Sequence, residues 1–167
     1  WGGKGISTEH TAWLNLINHV DAPLSGSCKQ NTKAVSEQIG GQIFSDCWGY
    51  LALDKPEIAT TLAEKMSSVT HDLDGIEGGK FVAVCISLAW HHLDAREIIT
   101  SALTYLNPDS NYTQLIREML DFHLQYPKDP KKCLAYIEDK HSYDNYEGLC
   151  HILPNTAIML YGMLYGK

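Results

Sequence analysis

Ile39-Gly40-Gly41-Gln42-Ile43-Phe44-Ser45-Asp46-Cys47-Trp48-Gly49 is the stretch whose reading decides the fold. It lies in an apolar row at helical spacing, Val35, Ile39, Ile43, Cys47 and Leu51, widened by Phe44 and Trp48. The row predicts one long helix starting at Asn31 or Thr32. Yet the helix contains a pair of glycines, and Gly in a helix interior costs about 1 kcal/mol relative to Ala. Bare backbone admits a close neighbour, either a crossing helix or a ligand. On the residues alone both readings stand, and crossing is the more ordinary one.

Outward from this stretch, helix signals recur. Upstream, Ser7 caps a helix to about His19 with Trp13, Leu16, Ile17 and Val20 on one face. The run 21–27 breaks it. Downstream, Asp54 with Glu57 and Pro56 starts a helix carrying Ile58, Leu62 and Met66. Thr70 to Gly79 reads as a turn region, and Lys80 to Trp90 as a helix apolar all round, hence central. Asp94 opens a helix that Asn107-Pro108 stops, and Asp109 or Ser110 opens another through Leu124. Asp129-Pro130 starts a helix with Leu134 and Ile137, Lys140 to Gly148 is polar loop, and a last helix runs from about Asn155. No alternation of the strand kind is sustained. The fold class is all-α, with seven or eight helices in one domain.

Composition narrows function. Hydrophobic content of 44% and charged content of 20% describe a folded globular chain. A net charge of −7, with Lys128, Lys131 and Lys132 the only basic cluster, speaks against a nucleic-acid surface. No apolar run is long enough for a membrane span. Five cysteines without a CxxC suggest a reducing, cytoplasmic setting, with Cys47 and Cys85 acting as small hydrophobes.

Some residue groups invite chemistry. Asp72 and Asp74 stand two apart in a turn, where a pair of carboxylates can share a hard cation, although Asp also precedes helices for capping reasons. His91-His92 and Cys150-His151 are poor chelates without a second close pair. Nothing in the sequence gathers a Ser/His/Asp or Cys/His set.

Several short motifs in this order resemble the ADP-ribosylglycohydrolase family, which includes the dinitrogenase reductase-activating glycohydrolases. They are Ser7-Thr8-Glu9, Ser25-Gly26-Ser27, Ile39 to Gly49, Lys55-Pro56-Glu57, Val69-Thr70-His71, Phe81-Val82-Ala83 and His151-Ile152-Leu153-Pro154-Asn155. The resemblance covers most of the chain. It implies an all-α hydrolase acting on the glycosidic bond of ADP-ribose or an ADP-ribosylated substrate, with two magnesium ions. It maps the family's phosphate-approach turn to Ser25 through Gly41, with Ser25, Gly40 and Gly41 as substrate contacts, and its ligand-contacting histidine to His71. Free N–H groups at a helix start would suit a diphosphate.

The chain also departs from the family pattern. Ile39 stands where the family has Asn, and Gln42-Ile43-Phe44 where it has Ala-Met-Arg. The family's Asp-Asp and Asp-x-Asp metal steps are missing from their expected places. Residues 1–167, opening Trp1-Gly2-Gly3 and closing after an apolar run, are therefore expected to form a domain incomplete at both ends or a form that lost its metal centre. Weak turnover and exposed apolar faces on the terminal helices, which favour self-association, follow from that expectation. The alternative is a non-catalytic helical module that binds a nucleotide or a protein.

Overall fold

The computed structural model describes residues 7–92, 94–146 and 149–166. Trp1-Gly2-Gly3, Gly148 and Lys167, which entered the sequence reading, lie outside them. Among the described residues the secondary structure is helical: α1 (Thr8–Ile17), α2 (Lys33–Ser36), α3 (Gly40–Ile43), α4 (Asp46–Leu51), α5 (Pro56–Ser67), α6 (Asp74–Leu88), α7 (Ala95–Ala102), α8 (Asn111–Gln125), α9 (Pro130–Lys140) and α10 (Ile152–Tyr165). One isolated antiparallel bridge, Gln38 to His151, is the exception among them.

The all-α reading holds, and the local caps are where the side chains predict them. Ser7, Asp94, Ser110 and Asp129 each accept a hydrogen bond from the N–H three residues on. Asp54 does not cap α5. It sits at φ 57°, and Lys55 takes the cap position without a side-chain bond.

The predicted long helix over the glycine pair is instead three short ones, α2, α3 and α4. The cause is a set of hydrogen bonds to distant segments. Val35 O accepts from Thr8 Oγ1 at 2.7 Å, and the Ile39 N–H that would have bonded it goes to Cys150 O at 2.8 Å. Ser36 O accepts from Asp72 N–H, and Glu37 O from Ile152 N–H. Gly41 N–H donates to His71 Nε2 at 2.9 Å. The groups that would carry the ladder across 39–41 are thus used elsewhere, and the helix stops.

The predicted apolar row is also not the buried one. Ile43, Phe44, Cys47 and Leu51 are exposed, whereas Gly40, Gly41, Gln42, Ser45 and Gly49 are buried. The same inversion occurs on α1, where Trp13, Leu16 and Ile17 are exposed and Thr8 and Ala12 are buried. On α5, Ile58 and Met66 are exposed, and Pro56, Ala59, Ala63 and Ser67 are buried. Helices that approach closely must present small side chains to one another, so the large ones are left outside.

Central α6 begins at Asp74, well before the predicted Lys80, and absorbs Gly75, Gly78 and Gly79. These glycines are packing points. A Cβ on Gly79 would lie 2.8 Å from Gly41 O, and one on Gly78 2.2 Å from Ile152 Cδ1. Helix α6 packs on α3, α4, α5, α7, α8 and α10. Phe81, Val84, Ile99, Tyr112, Ile116, Met119, Ile152 and Leu160 form the main core around it. Ala52, Ala59, Ala63 and Ala83 form a smaller one against α5, with Trp48 over it. Ala63→Leu should therefore destabilise by about 1–3 kcal/mol through overpacking. Ile58→Ser, on the exposed stripe, should cost within about 0.5 kcal/mol. Urea unfolding of both variants checks the inversion; if Ile58→Ser costs more than Ala63→Leu, the assigned faces are wrong.

Candidate functional site

His71 follows α5, and its ring is 1% exposed. The N–H of Gly41 points at Nε2, which must therefore be the unprotonated nitrogen. Nδ1 lies 2.6 Å from Thr70 Oγ1 and carries the ring's proton toward it. Burial pushes the imidazole down to about 4, against the opposing pull of Glu9, so the ring is neutral.

The glycine pair folds around this ring. A Cβ on Gly40 would lie 2.4 Å from Glu9 Oε1 and 2.9 Å from His71 Nε2. A Cβ on Gly41 would lie 2.2 Å from Gly75 O. Ser25 is buried too, donating from Oγ to Val69 O at 2.7 Å, and Gly26 presses on the backbone at Thr70 and His71. Ser36 Oγ donates to Gly26 O at 2.9 Å. Gly40, Gly41 and His71 are therefore brought into contact, with Ser25 held nearby through Val69 and Gly26. Their polar groups bond to each other and to neighbouring backbone, and the space the missing side chains leave is filled by Glu9, His71 and α6.

The open surface lies one step along the chain. Glu37, between α2 and α3, is 2% exposed and stands at the inner wall of a cleft of about 410 Å³. Helix α2 contributes Lys33, the start of α6 Asp74, and α8 Asn111, Gln114 and Glu118; His141, Tyr146 and His151 close the other side. A second hollow of about 240 Å³ shares Lys33, Glu37, Asp74 and Asn111 and extends toward Asp109. The Glu37 carboxylate is 3.5 Å from Lys33 Nζ, an ion-pair distance, and 3.6 Å from His151 Nε2. The bridge at Gln38 and His151 sets both residues beside one another.

Asp74 lines the same cleft, yet its oxygens are engaged. Oδ1 accepts from Tyr112 N–H and Oδ2 from Asn111 Nδ2, both at 3.1 Å, so Asp74 tethers the start of α8. Burial pushes its carboxyl up, against those two donors. Asp72 is likewise engaged: Oδ2 accepts from Ser27 Oγ and Cys28 N–H, and Oδ1 from Leu73 N–H. Burial alone would raise its carboxyl, but those donors outweigh burial and hold it below its ordinary value. Neither aspartate is arranged as a metal ligand. Among the described residues no group of three or more His, Cys, Asp or Glu side chains could hold a metal ion. Asp72 and Asp74, the pair the sequence offers, do not fit a magnesium centre, their oxygens being taken by Ser27, Cys28, Leu73, Asn111 and Tyr112.

Around the far wall, Glu118 accepts from Tyr136 OH and lies 3.1 Å from His141 Nε2, whose Nδ1 is 3.2 Å from Tyr146 OH. His91 and His92 sit apart from this, each beside a carboxylate, Asp54 and Glu97. The five cysteines are free, and Cys47 is exposed rather than buried.

The family model for ADP-ribosylglycohydrolase matches residues 2–167. This chain belongs to the ADP-ribosylglycohydrolase family. Comparison with curated proteins and with solved structures gave no significant match. Membership makes an ADP-ribosylglycohydrolase-like function the general expectation, with glycosidic bonds as the target class and metal dependence as the family habit. No helix among the described residues is long and apolar enough to cross a membrane.

Glu37 was missed by the sequence reading of this ADP-ribosylglycohydrolase-family chain. The available signal was its spacing four after Lys33, which reads as an ordinary surface pair. Its partner His151 is far off in sequence.

Proposed function

We propose that this chain supplies the substrate-orienting wall of a hydrolase cleaving the glycosidic bond of ADP-ribose, with the Glu37 cleft as the seat of the ribose. The observation that carries this reading is a buried carboxylate facing a polar cleft, one residue before Gln38, whose bridge to His151 lies beside the packed Gly40-Gly41 turn. A carboxylate accepts hydrogen bonds from a pair of ribose hydroxyls, and Lys33 and His151 keep it from turning away. Hydrolysis needs water at the anomeric carbon and a proton on the leaving atom. Orientation of the sugar is the part that Glu37 performs. Asp74, with both oxygens spent on α8, shapes the cleft instead.

In this reading Ser25, Gly40, Gly41 and His71 act indirectly, holding the 36–41 turn that aims Glu37. This reading leaves the carboxylates for the family's two magnesium ions unassigned and expects a cytoplasmic protein. The chain alone should therefore show weak or no magnesium-dependent hydrolysis of ADP-ribosyl substrates, and robust turnover would contradict the reading. Calorimetric titration with ADP-ribose tests the seat itself. Glu37→Gln, which keeps the shape, should weaken binding by about tenfold, the loss of roughly one charged hydrogen bond. Unchanged affinity in a folded variant would remove Glu37 from the site.

A further inference from the structure

A second cleft, of about 610 Å³, opens between α8 and α9 on the far side of Glu118. It shares Gln114 and Glu118 with the Glu37 cleft, whose reading leaves Arg117, Tyr126, Lys132 and Tyr136 unused. Its floor is aromatic: Phe122 lies 4.4 Å from Tyr136, nearly parallel at 27°, and 5.0 Å from Tyr126. Tyr126 is fixed from behind, because its carbonyl accepts from Tyr165 OH and its N–H donates to Phe122 O. The Lys132 ammonium sits 3.5 Å from the centre of the Tyr126 ring. Arg117 on α8 also lines the cleft, its Nη1 donating to Pro108 O at 3.2 Å.

We propose that this cleft binds a nucleoside monophosphate, with the base stacked on Tyr126. The volume lies in the range of small-molecule sites. Aromatic faces accept any base, and a base gains from stacking without needing a sequence-specific edge. Lys132 now covers the ring face that the base would take. It is exposed and on a flexible stem, so it can leave the ring and meet the phosphate that arrives with the base. Arg117 supplies the second cation. Two acids oppose them: Glu118, which Tyr136 and His141 hold in place while it keeps its charge, and Asp121. Two carboxylates against two cations leave no net positive charge, which suits a single phosphate better than a longer polyphosphate chain.

The test is titration of the folded 167-residue chain with AMP, adenosine and inorganic phosphate separately, read by aromatic-ring NMR shifts. AMP should move the Tyr126, Phe122 and Tyr136 ring signals; adenosine should do so more weakly, and phosphate alone should leave them in place. Lys132→Ala and Tyr126→Leu should each weaken AMP by about tenfold. Lys132 is exposed, so its variant keeps the test valid if Tyr126→Leu loses its fold. The proposal is overturned if AMP at several millimolar leaves those rings unmoved, or if Lys132→Ala and Arg117→Ala both bind AMP as the parent does. It is also overturned if the shifts appear only around Glu37 and His151.

Discussion

Gly41→Ala is expected to destabilise the protein by about 3 kcal/mol or more, the upper end of what overpacking costs. The new Cβ would stand 2.2 Å from Gly75 O and 3.3 Å from the His71 ring. The first of these neighbours is the backbone of α6, which cannot swing aside as a lysine tip can. The backbone would have to separate α3 from α6, and the Gly41-to-His71 hydrogen bond lies in that seam. Better helix propensity of Ala returns at most about 1 kcal/mol. Gly162→Ala is the matched control: a Cβ there meets nothing within 4 Å, and it lies inside α10. That variant should gain up to about 1 kcal/mol. Thermal and urea unfolding of the two variants compare them directly, and equal effects would mean the Gly40-Gly41 turn is not packed.

Acid should cost the fold a term of similar size through His71. Its imidazole is lowered to about 4 from the ordinary 6.5, so the folded protein binds fewer protons there than the unfolded chain. The stabilisation is fully present above pH 6.5. It falls away as the pH drops through that window and is spent near pH 4. The size is on the order of 3 kcal/mol for a group this buried. Protonation would place a hydrogen on Nε2, facing the N–H of Gly41, and break the bond that holds the turn. His71→Gln can still accept from Gly41 and does not titrate. Its stability should be lower at pH 7 but flatter between pH 6.5 and 4. A parent and a variant that lose stability in parallel over that window would show that His71 is not the titrating group.

The parts of the fold that local chemistry decides were readable from sequence. Ser7, Asp94, Ser110 and Asp129 cap their helices because a side-chain oxygen meets an N–H three residues away, which needs no tertiary knowledge. The central place of α6 followed from its apolar run. What failed depended on distant partners. The helix predicted across Val35 to Leu51 obeyed its apolar spacing but was broken by bonds from Thr8, Asp72 and Ile152 and by the bond Ile39 N–H donates to Cys150 O. The buried faces of α1 and α5 were misjudged because size was taken as the mark of burial, while close helix contact selects Ala, Ser, Thr and Gly. The early start of α6 was hidden by the same logic, since Gly75, Gly78 and Gly79 look like a turn until their neighbours are known. At the candidate site, the meeting of His71 with Gly40 and Gly41 was legible through the family motifs. The direction in which their polar groups point was not, and Glu37 became visible only when the Gln38 bridge set it against His151.

The central claim is that the glycine turn is scaffolding and the Glu37 cleft receives the ribose of ADP-ribose. An amide NMR titration of the chain with ADP-ribose tests it most directly. The account predicts progressive shifts at Glu37, Asp74, Asn111 and His151, with the Gly41 amide nearly still because its proton already belongs to His71. A large shift at Gly41 with silence around Glu37 would contradict it, placing the ligand on the glycine backbone and the cleft outside the site.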